Sequence, residues 1–280
     1  MDKHLSVYTA ESNATDVRLV LHQMLLGALR GRYIAYRLFV RDVKGDYSRS
    51  KFGALWDFVE PLVVAGVFAA LYDSGVIQSG EIGIPYPVFV VFGVLMWQTF
   101  SEAITYPLDL IRSSRSLITH LRIMPESLLL SVFLRVLFNS SFRIVIMLAV
   151  ALAMRSLSLA GVVPFVLLFP LLIVAGMAIG VLLAPFNAIY SDVGRVVRIS
   201  LRPLMYATPV MWTLPKLPFF SYLGALNPAA TMLSNLRSLA TSNAFDNLAV
   251  FVGTASVLGM IFLVGCFVFR LSIPILTERA

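Results

Sequence analysis

LAGVVPFVLLFPLLIVAGMAIGVLLAPF, residues 159–186, holds no charged side chain from its first residue to its last. About 20 consecutive apolar residues are enough for one α-helix to cross the hydrocarbon core of a bilayer, so this run crosses with residues to spare. Working outward, comparable runs extend from about Gly53 to Tyr72, Pro87 to Tyr106, Leu128 to Met154 and Leu248 to Phe269. A further apolar stretch, Leu201 to Leu214, is short and is broken by Pro203 and Pro209. A run of that length is marginal for a crossing and is expected to be continued by a re-entrant segment. Residues 215–245, rich in Pro, Asn, Ser and aromatic side chains, would supply that continuation on the external side. The expectation is an all-α integral membrane protein with six transmembrane helices.

Composition agrees, with 59% of the 280 residues hydrophobic, 13% charged and a mean hydropathy of +0.85. A soluble domain carries about 25% charged residues. The net charge of +7 does not point to nucleic acid, because the basic residues flank the apolar runs. Of the 22 Lys and Arg, Arg155, Lys216 and Arg237 fall on one side, Arg135 and Arg143 lie within a span, and the other 17 fall on the opposite side, in both terminal regions and the expected loops at 108–127 and 187–200. The positive-inside rule then puts both termini in the cytoplasm, in agreement with an even number of spans. The division of the chain is residues 1–52 cytoplasmic and interfacial, 53–270 transmembrane, and 271–280 a cytoplasmic tail. The N-terminus, Met-Asp-Lys-His, does not read as a cleavable signal peptide.

Residues 16–50 alternate apolar and basic residues: Val17, Leu21, Met24, Leu25 and Ala28 recur at helical spacing, and Tyr33–Arg41 interleaves aromatics with Arg37 and Arg41. Such a segment lies in the headgroup layer with aromatics inward, or packs as a soluble helix on a partner. The single cysteine, Cys266, permits no internal disulfide and no thiolate metal site. His4, His22 and His120 lack ligand spacing, and no GxxxxGK[ST] phosphate loop occurs. Any ATP hydrolysis would therefore belong to a separate chain, and nothing here reads as an enzyme's site.

Arg135, Asn139 and Arg143 fall at i, i+4 and i+8 on the third span, one stripe down one helix face. An intramembrane Arg costs at least about 2.5 kcal/mol and needs a partner or an aqueous path. Either the stripe is an electropositive lining for an anionic substrate, or Arg135 snorkels to the headgroups while Arg143 pairs with Asp57, Glu60 or Glu102. Trp97, Tyr106, Tyr206 and Trp212 lie near span ends or in the short fifth segment. They are interfacial anchors or rings on which the apolar faces of sugars slide.

FVRDVKGDYSRSKFGALW, residues 39–56, resembles the opening pattern of the ABC-2 type permeases, the membrane subunits of exporters for polysaccharides and related polymers. Asp46 stands where that pattern often has a basic residue, and Phe52 where Leu is usual. Three further elements of the family follow in order: Arg122-Ile123-Met124-Pro125, Asn187–Val193 (NAIYSDV) and Leu226-Asn227-Pro228. Residues 55–61 (LWDFVEP) and 201–206 (LRPLMY) lean toward capsular-polysaccharide exporters of Gram-negative bacteria; O-antigen and teichoic-acid permeases share most of the rest.

The resemblance implies a half-transporter of the bacterial inner membrane that works as a homodimer with two copies of a separate ATP-binding subunit. That subunit would bind ATP and Mg, and this chain would hold no cofactor. The substrate would be a lipid-linked anionic polysaccharide, with periplasmic and outer-membrane components beyond it. Residues 108–124 would form the coupling helix, through Asp109, Leu110, Ile111, Arg112, Ser113 and Arg115, with Leu110, Ile111, Leu117 and Ile118 buried in the ATPase groove; the plain alternative is a solvated loop. Residues 215–245 would be an external gate, and Arg135, Asn139, Arg143, Trp97, Tyr206 and Trp212 would line the channel. Rival readings are an ABC-2 drug or lipid exporter, a secondary transporter, which would want intramembrane acids and an internal repeat, and a membrane transferase, which lacks a candidate site.

Overall fold

The computed structural model describes residues 24, 26–27, 29–48, 59, 62–64, 66–68, 70–72, 74–75, 83–121, 123–211 and 227–278. Among them the regular elements are helices: α1 (Arg32–Ser48), α2 (Tyr86–Leu108), α3 (Leu110–Ser113), α4 (Arg115–Leu121), α5 (Pro125–Ala153), α6 (Leu159–Ile189), α7 (Ser191–Ala207), α8 (Pro228–Ser242) and α9 (Leu248–Glu278). Inside a bilayer only structures that satisfy their own backbone hydrogen bonds persist, and a helix does so within one segment. Helices α2, α5, α6 and α9 are long and apolar enough to cross a membrane, and Leu62–Tyr72 is a shorter apolar helix.

Local chemistry sets the boundaries. Pro125 and Pro228 open α5 and α8, where a missing N–H costs nothing. The Asn227 side chain accepts from the backbone N–H of Ala229 at 3.0 Å, so Asn227-Pro228 is a capped helix start. α8 ends at Asn243, which takes a left-handed conformation (φ 55°).

Contacts along the helices fix their directions. Gly176 and Gly180 of α6 lie against Phe100, Ala103 and Ile104 of α2, so these two helices descend side by side in the same direction. A Cβ at Gly176 would stand 2.7 Å from the Phe100 carbonyl oxygen, and one at Gly180 would collide with that of Ile104. This Gly-xxx-Gly pair lets the two backbones touch, the usual device where lipid offers no hydrophobic drive for association. α5 runs the opposite way along α2, and α6 also packs broadly on α9 and α8.

α7 corrects two expectations. The stretch 187–200 does not form a loop, and the fifth apolar element does not begin at Leu201; one helix runs from Ser191 to Ala207 and contains Pro203. Gly194, Val197, Leu201 and Met205, spaced by three or four residues, face the rest of the protein. Asp192, Arg195, Arg198 and Arg202 are exposed, and it is these charges that make the segment read as a loop. α7 starts beside the end of α2, where Arg198 meets Asp109, and residues 208–211 reach the beginning of α2, where Tyr86 Oη donates to the Met211 carbonyl at 2.8 Å. Residues 191–211 thus run the length of α2. Of the segment expected to be re-entrant, residues 228–242 form a regular helix with Met232, Leu233, Leu236, Leu239 and Ala240 buried; residues 215–226 lie outside the described residues.

α1 packs on α5 through small residues. Gly31, Ala35 and Leu38 are buried, and a Cβ at Gly31 would collide with the Ser127 hydroxyl. Tyr33, Ile34 and Tyr36 are exposed together with Arg32, Arg37 and Arg41.

Candidate functional site

The arginine stripe of α5 finds its complement on α2. Thr99, Glu102 and Tyr106 share one face of α2 at i, i+3 and i+7, and because the helices are antiparallel they meet the stripe in reverse order. Arg143 pairs with the Glu102 carboxylate, and its Nη1 donates to Thr99 Oγ1 at 3.2 Å. Asn139 Nδ2 donates to Glu102 Oε2 at 3.3 Å, and the Arg135 guanidinium lies 4.3 Å from the centroid of the Tyr106 ring. Arg143 is only 2% exposed and Glu102 18%. Of the alternatives open in the sequence, the Glu102 partner is the one found; Asp57 and Glu60 lie outside the described residues. Arg143 is thus paired within this chain, while Arg135 and Asn139 are half-buried. Trp97 is buried in the core beside Phe100, Tyr206 is exposed, and Trp212 lies outside the described residues.

At its Leu108 end α2 stops and the chain turns through α3 and α4. Leu110, Ile111 and Ile118 are buried within this chain's own core, which corrects the expectation that they fill a partner's groove. Arg112, Ser113, Arg115 and Ser116 are exposed. The two short helices meet at the buried Ser114, so burying one residue in three or four leaves a polar outer face. Asp109 is held from the side: Asn187 Nδ2 donates to its Oδ1 at 3.1 Å and Arg198 Nη1 to its Oδ2 at 2.7 Å. Arg270 of α9 also pairs with Glu126 of α5 at 2.9 Å, both largely buried.

At the Tyr86 end of α2, Tyr72 stacks on Tyr86 with centroids 4.5 Å apart, Tyr86 lies nearly parallel to Phe89, and the Arg237 guanidinium sits 3.7 Å over the Phe89 ring. Arg237 Nη2 donates to the Pro209 carbonyl at 3.1 Å. This column fastens α8 to the start of α2 and to the turn after α7. Arg237→Ala is expected to cost about 1–3 kcal/mol, the penalty for leaving a buried carbonyl without its donor. Hydrogen exchange should report it as faster exchange confined to residues 228–242; unchanged protection there would show that the stack carries no load.

Neither Asn187 nor Arg237 stands out from composition. The stripe on α2 was readable, because Thr99, Glu102 and Tyr106 are polar at helical spacing within an apolar run. Among the described residues no group of three or more His, Cys, Asp or Glu could hold a metal ion.

Residues 35–241 match the ABC-2 type transporter family, and the chain belongs to it. It is similar to the polysialic acid transport protein KpsM of Escherichia coli, 24% identical over 66% of this chain and 73% of that protein. It is also similar to the O-antigen export system permease protein RfbA of Myxococcus xanthus, 26% identical over 74% of this chain and 80% of the relative. The protein of the same name from Klebsiella pneumoniae is 26% identical over 71% and 76%, respectively.

Proposed function

We propose that this chain is the permease subunit of an ATP-driven exporter that carries a lipid-linked anionic polysaccharide across the bacterial inner membrane. The observation that carries the reading is the family match combined with relatives that are named for polysialic acid transport and O-antigen export. The geometry supports it at both ends. At the inner end a short, anchored pair of helices presents Arg112, Ser113, Arg115 and Ser116 outward, a suitable face for a separate ATP-binding subunit. At the outer end, α8 lies across the start of α2 as a gate would.

In this reading two copies assemble, with six spans each. The helix containing Leu62–Tyr72 is the outward part of the first span and residues 191–211 form the fifth. Both termini are cytoplasmic, and α1 lies in the headgroup layer with Tyr33 and Tyr36 toward lipid and its arginines toward phosphate. Binding of ATP and Mg by the partner subunits draws the coupling segments together and parts the two permeases. Arg135, Asn139 and Tyr206 meet the polymer, while Arg143 acts indirectly, by holding Glu102 and through it Asn139. Trp97 supports the wall from behind. Export continues through periplasmic and outer-membrane components.

Capsular polymer is the substrate favoured by the LWDFVEP and LRPLMY segments; O-antigen is the second reading, favoured by the similarity to the two O-antigen export permeases. Deleting the gene and assaying capsule, O-antigen and intracellular lipid-linked polymer separates them. Accumulation of capsular polymer inside the cell supports the first, accumulation of O-antigen the second. Normal levels of both at the surface would overturn the assignment to polysaccharide.

A further inference from the structure

Asn187 is buried at the joint between α6 and α7, and all three of its strong hydrogen bonds leave its own helix. Its Nδ2 donates to the Leu108 carbonyl at 2.9 Å and to Asp109 Oδ1 at 3.1 Å; its Oδ1 accepts from the backbone N–H of Gly194 at 2.8 Å. One amide side chain therefore ties the last turn of α2, the first residue of the coupling segment and the first turn of α7. Arg198, one turn beyond Gly194, closes the loop by pairing with Asp109 at 2.7 Å. The knot is tightly fitted: a Cβ at Gly194 would stand 2.5 Å from Asn187 Oδ1 and 3.1 Å from Arg198 Nη2. No aspartate could replace the asparagine, since it would lose both donors and set a second carboxylate against Asp109.

The position of the knot gives it a consequence. α3 and α4, which bear the exposed polar face, start at Asp109, and α7 is held to the protein along a single stripe while its other faces are exposed. We propose that Asn187 is a positioning residue that makes the coupling segment and α7 move as one body, so that displacement at Arg112–Ser116 is delivered to α7 rather than absorbed in the loop. Arg198 is its second tether. This inference rests on the proposed function, because it requires an ATP-binding subunit to supply the displacement.

The test uses the full permease co-expressed with its ATP-binding subunit, purified and reconstituted, with three readouts: co-purification of the subunits, basal ATPase, and polymer exported per ATP hydrolysed. Arg198→Ala, whose side chain is half exposed, is expected to keep the first two and to lower the third about fivefold, within the range by which coupling networks respond to single substitutions. Arg198→Lys is expected to recover most of it. Asn187→Ala is expected to lower it about tenfold or more, since every tether it makes is lost. Wild-type export per ATP in both alanine variants would overturn the inference. So would loss of subunit association in Arg198→Ala, which would reduce the knot to a structural support. Wild-type protein that binds no ATP-binding subunit would instead overturn the proposed function, and the inference with it.

Discussion

Glu102→Ala is expected to lower the stability of the folded protein by about 3–5 kcal/mol, the cost of removing one partner from a buried ion pair. The guanidinium of Arg143 is almost wholly enclosed, and with the carboxylate gone the partner it keeps among the described residues is the Thr99 hydroxyl at 3.2 Å. Asn139 loses its shorter acceptor at the same time and keeps the Tyr106 hydroxyl at 3.5 Å, so the edge that faces the proposed polymer path loosens too. The effect should appear as a large fall in the midpoint of thermal unfolding in detergent. The double variant Glu102→Leu with Arg143→Met should recover most of that loss, because apolar residues of similar volume replace a buried pair at little or no cost. A single variant as stable as the wild type would mean that water reaches Arg143 and that the pair is not closed. The same double variant also tests the electropositive-lining reading: export retained in it would show that the Arg143 charge never meets the polymer.

Gly180→Val comes next in size. Any Cβ there collides with the Ile104 carbonyl oxygen and stands 2.7 Å from Pro107 Cγ, and a branched side chain adds two methyl groups to the collision. Backbone atoms and a proline ring cannot rotate away, so α6 must withdraw from α2 along the half of the interface that leads to Asn187. Overpacking costs about 1–3 kcal/mol where side chains can adjust, and a clash with backbone should exceed that range. The expected outcome is little folded protein in the membrane fraction. Gly253→Val on α9, where a Cβ meets nothing within 4 Å, is the matched control and should accumulate normally. Equal yields of the two variants would disprove the close approach of α2 and α6.

These cases indicate what the sequence could and could not disclose. The spans at α2, α5, α6 and α9 were legible because long apolar runs leave a helix no alternative in lipid. α7 was misread because the residues of its inward stripe, Gly194, Val197, Leu201 and Met205, alternate along the chain with the exposed Arg195, Arg198 and Arg202, which resemble a loop until the helix is known. The buried faces of α3 and α4 were credited to a partner because four or seven residues are too few to show which way an apolar side chain points. The Glu102 contact with Arg143 was one of three pairings the sequence left open, and only the antiparallel register of α2 and α5 selects it. Asn187 was visible merely as part of a motif, since its role lies in three contacts with residues 79, 78 and 7 positions away.

The Glu102–Arg143 pair also bears on how the chain enters the bilayer during synthesis. A carboxylate inside a span costs up to about 3 kcal/mol to insert alone, and the two arginines of α5 carry similar penalties. Neither helix is therefore at ease in lipid until the other is beside it, and 41 residues of chain separate the two charges. α2 is expected to wait at the insertion machinery for α5 and to leave with it as a hairpin. A nascent chain that ends before Pro125 should anchor residues 86–108 less completely than one that extends through Ala153, as judged by protease protection.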